Sequence, residues 1–392
     1  MATGAGAPTV RAMPRERPLK IAVAGGGFAA AELILALRAL AEDRVAIELI
    51  TPSTELAFRP AATGTPFERS HVDRYDLELL ADEMGAGLRR DMVEAVAPRA
   101  RRLRLRSGGA VEYDALVLAL GARARAAIPG AVTFRDQRDA HLIAGLVGEL
   151  AAQEGCRVAF AAPSGVSWTL PLYELALMTA AEIERRDLDM ETVLITPESA
   201  PLEAFGPVVG DRVGTLLADR GISRLRGVAH SAGRTRLTLT SGEAVRADRV
   251  VAVPRLVGRR MPGVPADWNG FVATDAHGRV REVPDVFAAG DMTQFRVKQG
   301  GLATQQADVI AAVLAARAGA DVEISPVRHV LRTHLLVPDG SLYLRAELDG
   351  DGRPLPATEG AQISSEALWW PPAKLFGRYL SPWMATHDPV AA

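Results

Sequence analysis

The chain has one cysteine in 392 residues, Cys156. A single thiol excludes an intrachain disulfide, a C-x-x-C redox pair and any cysteine-rich metal site. Charge of one sign is also missing: the net charge is −2 and no block of like charge stands out, so neither nucleic acid nor an anionic membrane is called for as an electrostatic partner. No apolar run approaches the roughly 18 residues needed to cross a bilayer. The first eighteen residues, "MATGAGAPTVRAMPRERP", lack the apolar segment of a signal peptide and read as a disordered tail. The seven histidines are dispersed, and His329 and His334 are spaced wrongly for two ligands on one helical turn, so no metal site is expected. What remains is a cytoplasmic, ordinarily charged chain with 48 % apolar residues, long enough for two or three domains.

The order of elements then repeats. From Lys20, "KIAVAGGGFAAAELILALRAL" reads as a buried strand, a glycine turn and an Ala/Leu-rich helix, with "VAIELITP" as the next strand. About 135–145 residues on, "RVAFAAPSG" answers "KIAVAGGG", "VLITPES" answers "ELITPST" and "SGEAVRADRVVAVP" answers "SGGAVEYDALVLAL". Two nucleotide-binding-type domains in tandem are implied, the second nested in the first, because "VREVPDVFAAGDMT" and "GGLATQQADVIAAVLAARAG" return to complete the first sheet. After Asp321, "PVRHVLRTHLLVPDGSLYLRAELDGDG" has the pattern of a hairpin turning at Pro338-Asp339-Gly340.

The chemistry concentrates in the first turn. Gly25-x-Gly27-x-x-Ala30, between a strand and a helix, is a dinucleotide fingerprint: Gly25 allows the tight turn, Gly27 lets a pyrophosphate approach, and Ala30 is the small residue for close helix–strand packing. The acidic residue expected about 20 positions on, to bind a ribose hydroxyl, is replaced by Thr51. In "VFAAGDMT" an apolar strand ends in Gly290-Asp291, a carboxylate acceptor that could equally be a helix cap. The trio "VAGGGFAAAE", "YDALVLALGAR" and "VFAAGD" resembles the two-dinucleotide-binding-domain flavoproteins of the pyridine nucleotide-disulfide oxidoreductase type, and within them is most similar to the branch of type II NADH dehydrogenases and sulfide:quinone oxidoreductases.

That resemblance covers roughly Lys20 to Gly319 and implies bound FAD along Gly25, Gly27, the strand end at Gly121 and Asp291, with "KQGGLATQQ" at the flavin ring. There Lys298, Gln299, Gly300 and Gly301 precede a helix, so positive charge and free amides would face the ring oxygen that turns negative on reduction, unless Lys298 is a surface lysine. Arg59 in "LAFRPAATG" is a further candidate for the FAD pyrophosphate or the ring edge. The second turn departs from the pattern: a NADH-using relative would carry G-x-G-x-x-G there, and "AAPSGVSW" supplies only Gly165, which argues against direct use of NADH or NADPH. Sulfide-oxidising relatives place a cysteine shortly before Pro-x-Tyr-Glu; here Pro171-Leu172-Tyr173-Glu174 is present and the position resembling that cysteine is Trp168, which cannot carry sulfur. Trp168 is either core filling or a wall of the flavin pocket, and Cys156 reads as a buried small hydrophobe.

The tail "LWWPPAKLFGRYLSPWM" holds three of the five tryptophans with Lys374 and Arg378, a composition suited to peripheral contact at the inner face of the membrane, a quinone tunnel, core packing or a homodimer seam. The expected fold is α/β, with tandem Rossmann-like FAD/NAD(P)-binding domains in three layers and a small C-terminal α+β interface domain. The expected boundaries are 19–131 and 261–321 for the FAD domain, 132–260 for the degenerate inserted copy and 322–392 for the last. The expected function is FAD-dependent electron transfer from a small-molecule donor to a quinone or other small acceptor. Two alternatives stay open: an NAD(P)H-dependent FAD oxidoreductase with an atypical nicotinamide site, and a non-catalytic flavin-binding protein.

Overall fold

The computed structural model describes residues 17–151, 154–356 and 361–390; the tail expected at the N-terminus, up to residue 16, lies outside the described residues. Two five-stranded sheets carry the fold. In the first, the strands Val286–Ala288, Ala115–Leu118, Leu19–Ala24, Val45–Ile50 and Gly87–Arg89 lie side by side, all parallel. In the second, Val132–Thr133, Arg249–Ala252, Cys156–Ala161, Met190–Thr196 and Ser223–Arg226 lie in a matching order, again all parallel. Each sheet receives its inner returning strand from a three-stranded antiparallel meander, Val93–Ala97/Arg102–Leu105/Ala110–Glu112 in the first and Ala229–Ala232/Arg236–Leu239/Ala244–Arg246 in the second. The two halves of the chain thus repeat one topology. An antiparallel pair, Ala122–Arg125 with Arg255–Gly258, joins them.

Seven α-helices are described: α1 (Phe28–Ala41), α2 (Leu77–Glu83), α3 (Ala140–Leu150), α4 (Leu170–Arg185), α5 (Pro207–Asp219), α6 (Gly300–Arg317) and α7 (Leu380–Thr386). Helix α1 is built from Ala and Leu, the strongest helix formers, and buries almost every side chain from Ala29 to Leu37 because the sheet covers one side and α6 the other. Its full-length burial of Leu33, Ile34 and Leu37 contributes roughly 1.5–3 kcal/mol each. The runs of alanine in α1 and α6 let the two helices pack closely, and this brings the α1 N-terminus and the end of the strand Val286–Ala288 together: a Cβ added at Gly290 would stand 3.7 Å from Ala29 Cβ.

The C-terminal part forms an antiparallel sheet of His329–Val337, Gly340–Leu348 and Gln362–Ser364, and the hairpin turns over Pro338-Asp339 with Val337 paired to Gly340. Its core side joins the cluster under the second sheet through Leu331, Leu335 and Leu344. Among the described residues no helix is long and apolar enough to cross a membrane.

Candidate functional site

The first glycine turn has the form the fingerprint requires. Gly25 adopts φ +126°, and a Cβ there would lie 2.2 Å from the Ala119 carbonyl oxygen, so only glycine fits. At Gly27, by contrast, a Cβ would meet nothing within 4 Å. The turn is open where a ligand would approach. Gly27 is also the N-cap of α1 and supplies no side-chain cap; the Ala30 and Ala31 amides bond to its carbonyl at 3.0 Å, and the Phe28 and Ala29 amides have no acceptor among the described residues. Ala30 is buried against the sheet. Thr51 does not reach outward as a ribose ligand would: it is 1 % exposed, its Oγ1 accepts from the Ser53 amide at 3.1 Å, and it backs onto Gly26. The hydroxyl that was expected to replace the usual carboxylate is spent on holding the turn.

Two observations fit an anionic, hydroxyl-rich ligand along this edge. Asp291, after the strand Val286–Ala288, makes no hydrogen bond or ion pair within the described residues, while the adjacent Gly290 amide is fixed on Gln306 Oε1 at 2.7 Å. Burial pushes the Asp291 carboxyl above the usual range, with the charge of Lys298 opposing. On the other side, Arg59, Arg123 and Arg259 stand near one another, and none forms an ion pair among the described residues. Burial, then Arg123 and Arg59, lowers the pKa of Arg259, whose Nε is buried without a partner. Two neighbouring cations and a buried Nε without a partner make Arg259 a candidate for a bound anion, while Arg59 also feels the Asp136 carboxylate. Gly121, at φ +65°, leads into the strand that carries Arg123. A pyrophosphate on the α1 turn, a polyol at Asp291 and the arginine trio together match the demands of FAD.

A cavity of about 720 Å³ opens beside this edge, between the two sheets and the C-terminal part. Lys298 lines it, packed over the Phe271 ring at 4.0 Å and donating to the Thr293 carbonyl at 2.5 Å, so it is not a surface lysine. Burial brings its pKa down to about 8, against the opposing charges of Asp291 and Asp267. Gly300 and Gly301 open α6 at the cavity edge. Gln299 is the N-cap, its Oε1 accepting from the Leu302 amide and its Nε2 donating to the Arg332 carbonyl, so its side chain is committed to the protein.

The far wall holds a buried ion pair. Lys374 Nζ donates to Glu174 Oε1 at 2.5 Å, Thr63 Oγ1 donates to Glu174 Oε2 at 2.7 Å, and the Leu336 amide completes the carboxylate at 2.8 Å. All three side chains are at most 6 % exposed and line the cavity. Burial lowers the pKa of Lys374 and the charge of Glu174 opposes that shift. Sequence reasoning did not find this group and left the tail that carries Lys374 open between membrane contact, a quinone tunnel, core packing and a dimer seam. One signal was available: the chain has 42 arginines and only three lysines, Lys20, Lys298 and Lys374, and the last two both line this cavity. Arginine is always charged and cannot give up its proton, whereas a buried lysine can.

At the second turn Gly165 alone has positive φ, and the ribose-type position is closed from within. Glu198, at the end of the strand Met190–Thr196, accepts from Thr169 Oγ1 and from Tyr173 OH, each at 2.8 Å, and burial raises its pKa. Trp168 is half-buried, packs on Phe205 at 5.9 Å and lines the cavity. Cys156 is buried at the start of its strand and is not a cavity residue.

Residues 173–307 match the family model described as pyridine nucleotide-disulphide oxidoreductase. The sulfide:quinone oxidoreductase of the hyperthermophilic bacterium Aquifex aeolicus has a similar structure, with a TM-score of 0.73 at 20 % identity over 88 % of this chain and 87 % of that one. The chain carries this oxidoreductase fold. Other structures that share it are the ferredoxin reductase for the CYP199A2 system from Rhodopseudomonas palustris (TM-score 0.61, 20 % identity, 84 % of this chain and 82 % of that one) and the NDH2 of Plasmodium falciparum (0.57, 16 %, 72 % and 66 %). No curated protein matches the chain. On this fold the chain carries no cysteine pair, since its one thiol is Cys156.

Proposed function

We propose that the protein is an FAD-dependent oxidoreductase that takes reducing equivalents from a small donor other than NAD(P)H and passes them to a quinone or similar small carbonyl acceptor, without cysteine chemistry. The observation that carries this reading is the cavity itself, in which Lys298 and the α6 N-terminus lie on one side and the buried Lys374–Glu174–Thr63 group on the other.

FAD, when bound, supplies the two-electron chemistry that no side chain here can perform. Gly25 and Gly27 with the α1 N-terminus would hold its pyrophosphate, Arg59, Arg123 and Arg259 would balance the charge, and Asp291 would accept from its polyol hydroxyls. Lys298 places a cation at the cavity edge. A quinone-type acceptor gains two protons with its two electrons, and the proton-bearing groups at the opposite wall are the Lys374 ammonium and the Thr63 hydroxyl, both ordered by Glu174. Trp168, Leu170, Pro171, Pro197 and Phe295 make the remaining wall apolar, which suits a flat organic ring and excludes water.

The inward bonds of Glu198 to Thr169 and Tyr173 support a donor other than a nicotinamide dinucleotide, because the carboxylate is already satisfied. The test is an anaerobic visible spectrum of the FAD-loaded protein before and after NADH. An unchanged flavin spectrum is expected with NADH, and flavin reduced with dithionite should reoxidise when a quinone is added. Bleaching by NADH within seconds would assign the second turn to a nicotinamide after all, and failure to retain FAD would remove the whole reading.

A further inference from the structure

The segment from Lys374 to Thr386 runs as a strap across the molecule. It begins on the cavity wall, where Lys374 meets Glu174. Leu375 then lies on α6 so closely that a Cβ on Gly300 would fall 2.1 Å from its Cδ1, and the Phe376 carbonyl accepts from Thr304 Oγ1 at 3.0 Å. Gly377 passes over α1, where a Cβ would stand 2.5 Å from Glu32 Oε2. Glu32 is wholly buried, and its two oxygens accept the Tyr379 and Leu380 amides at 2.9 and 2.7 Å. Helix α7 finishes the strap on α2, with Trp383 Nε1 donating to Glu83 Oε2 at 2.8 Å and His387 stacked on Trp383.

A second carboxyl shares the Glu32 site. Asp308 of α6 lies within hydrogen-bond reach of Glu32 across the α1–α6 seam, and its Oδ1 is buried without a hydrogen-bond partner. Two carboxyls in one buried place cannot both ionise. The groups facing them are Glu32 from α1, Asp308 from α6, and Arg378, Tyr379 and the amides of Tyr379 and Leu380 from the strap; among the described residues Arg378 is the only cation there, and its charge favours ionisation.

We propose that Glu32 and Asp308 form a proton-held latch for the C-terminal strap, and that releasing the latch lifts Lys374 from Glu174 and opens that wall of the cavity. With the strap closed, one proton is shared between the two carboxyls. With it open, both carboxyls meet water and the proton leaves. Burial, then the charge of Glu32, raises the Asp308 pKa to about 9 in the closed state, well above its ordinary value near 4. A raised acid pKa favours the closed form fully below the ordinary value, and that advantage is lost as pH rises toward 9. One proton released on opening makes the open population rise about tenfold per pH unit over that window.

The scarcity of lysine provides the probe. A lysine-specific endoprotease can cut after Lys374 only when the strap leaves its seat, releasing the fragment from Leu375 to Ala392. We expect the initial rate of that cut in the full chain, normalised at each pH to a short lysyl peptide, to rise about tenfold per unit between pH 7 and 8.5. In Asp308→Asn, which cannot ionise, the rate should be independent of pH. A flat profile in the unmodified chain, or the same slope in the variant, would overturn the latch. Hydrogen exchange at the Tyr379 and Leu380 amides of the unmodified chain gives a second reading that needs no variant: protection, corrected for intrinsic exchange, should fall across the same range, and constant protection refutes the proposal.

Discussion

Lys374 and Glu174 are expected to behave as one unit. Lys374→Met leaves a buried carboxylate without its cation and should destabilise the fold by about 3–5 kcal/mol, whereas Lys374→Met combined with Glu174→Gln should recover a large part of that loss. Chemical denaturation of the two single variants and the double variant measures the coupling, and additive losses would mean that the pair does not interact. Lys298 gives a pH dependence. Its folded pKa of about 8 lies below the unfolded value near 10.4, so the buried ammonium costs stability below pH 8 and the cost disappears as pH rises from 8 toward 10.4. Side-chain nitrogen NMR should show Lys298 titrating near pH 8, and any turnover that needs its charge should fall above that pH. Lys298→Arg keeps the charge, so the fall should then move beyond pH 10. The setting of Lys374 was not legible in the sequence, because its carboxylate partner, Glu174 on α4, lies 200 residues away.

At the scale of elements, local chemistry was legible and cross-chain contact was not. The first turn, the α1 helix and the Pro338-Asp339 hairpin follow from residues within a few positions of one another, and each has the form its sequence requires. The setting of Thr51 was not legible, because it depends on packing against Gly26 and on the Ser53 amide. The two glycines of the turn separate folding from binding. Gly25→Ala drives a Cβ into the Ala119 carbonyl and should prevent a stable fold, while Gly27→Ala has room for its methyl group and should melt within about 0.5 kcal/mol of the unmodified chain. If the turn holds a pyrophosphate, Gly27→Ala should nonetheless weaken FAD binding at least tenfold by flavin fluorescence titration. Equal FAD affinity in that variant would move the cofactor elsewhere.

For the whole molecule, the two parallel sheets repeat one strand order, and in the second the Glu198 carboxylate is engaged by Thr169 and Tyr173. Linkage then predicts an asymmetry in melting. FAD present at about 100 times its dissociation constant should add roughly 2.7 kcal/mol of stability, and NADH at the same concentration should add none. A matching rise with NADH would show that the second sheet still binds a dinucleotide. The repeat was visible in the sequence because strand–turn–helix order survives substitution, but the engagement of Glu198 was not, since it depends on Thr169 and Tyr173 at the start of α4 meeting a residue 29 and 25 positions further on.

The distribution of the three lysines has a practical consequence. Lys20 is exposed, Lys374 is sealed inside the strap, and Lys298 is reached only through the cavity. Amine-directed reagents therefore sort by size: with the strap closed, a bulky label should couple at Lys20 alone among the lysines. A small aldehyde or activated ester can enter the cavity and mark Lys298, which turns covalent labelling into a direct gauge of whether that chamber is filled.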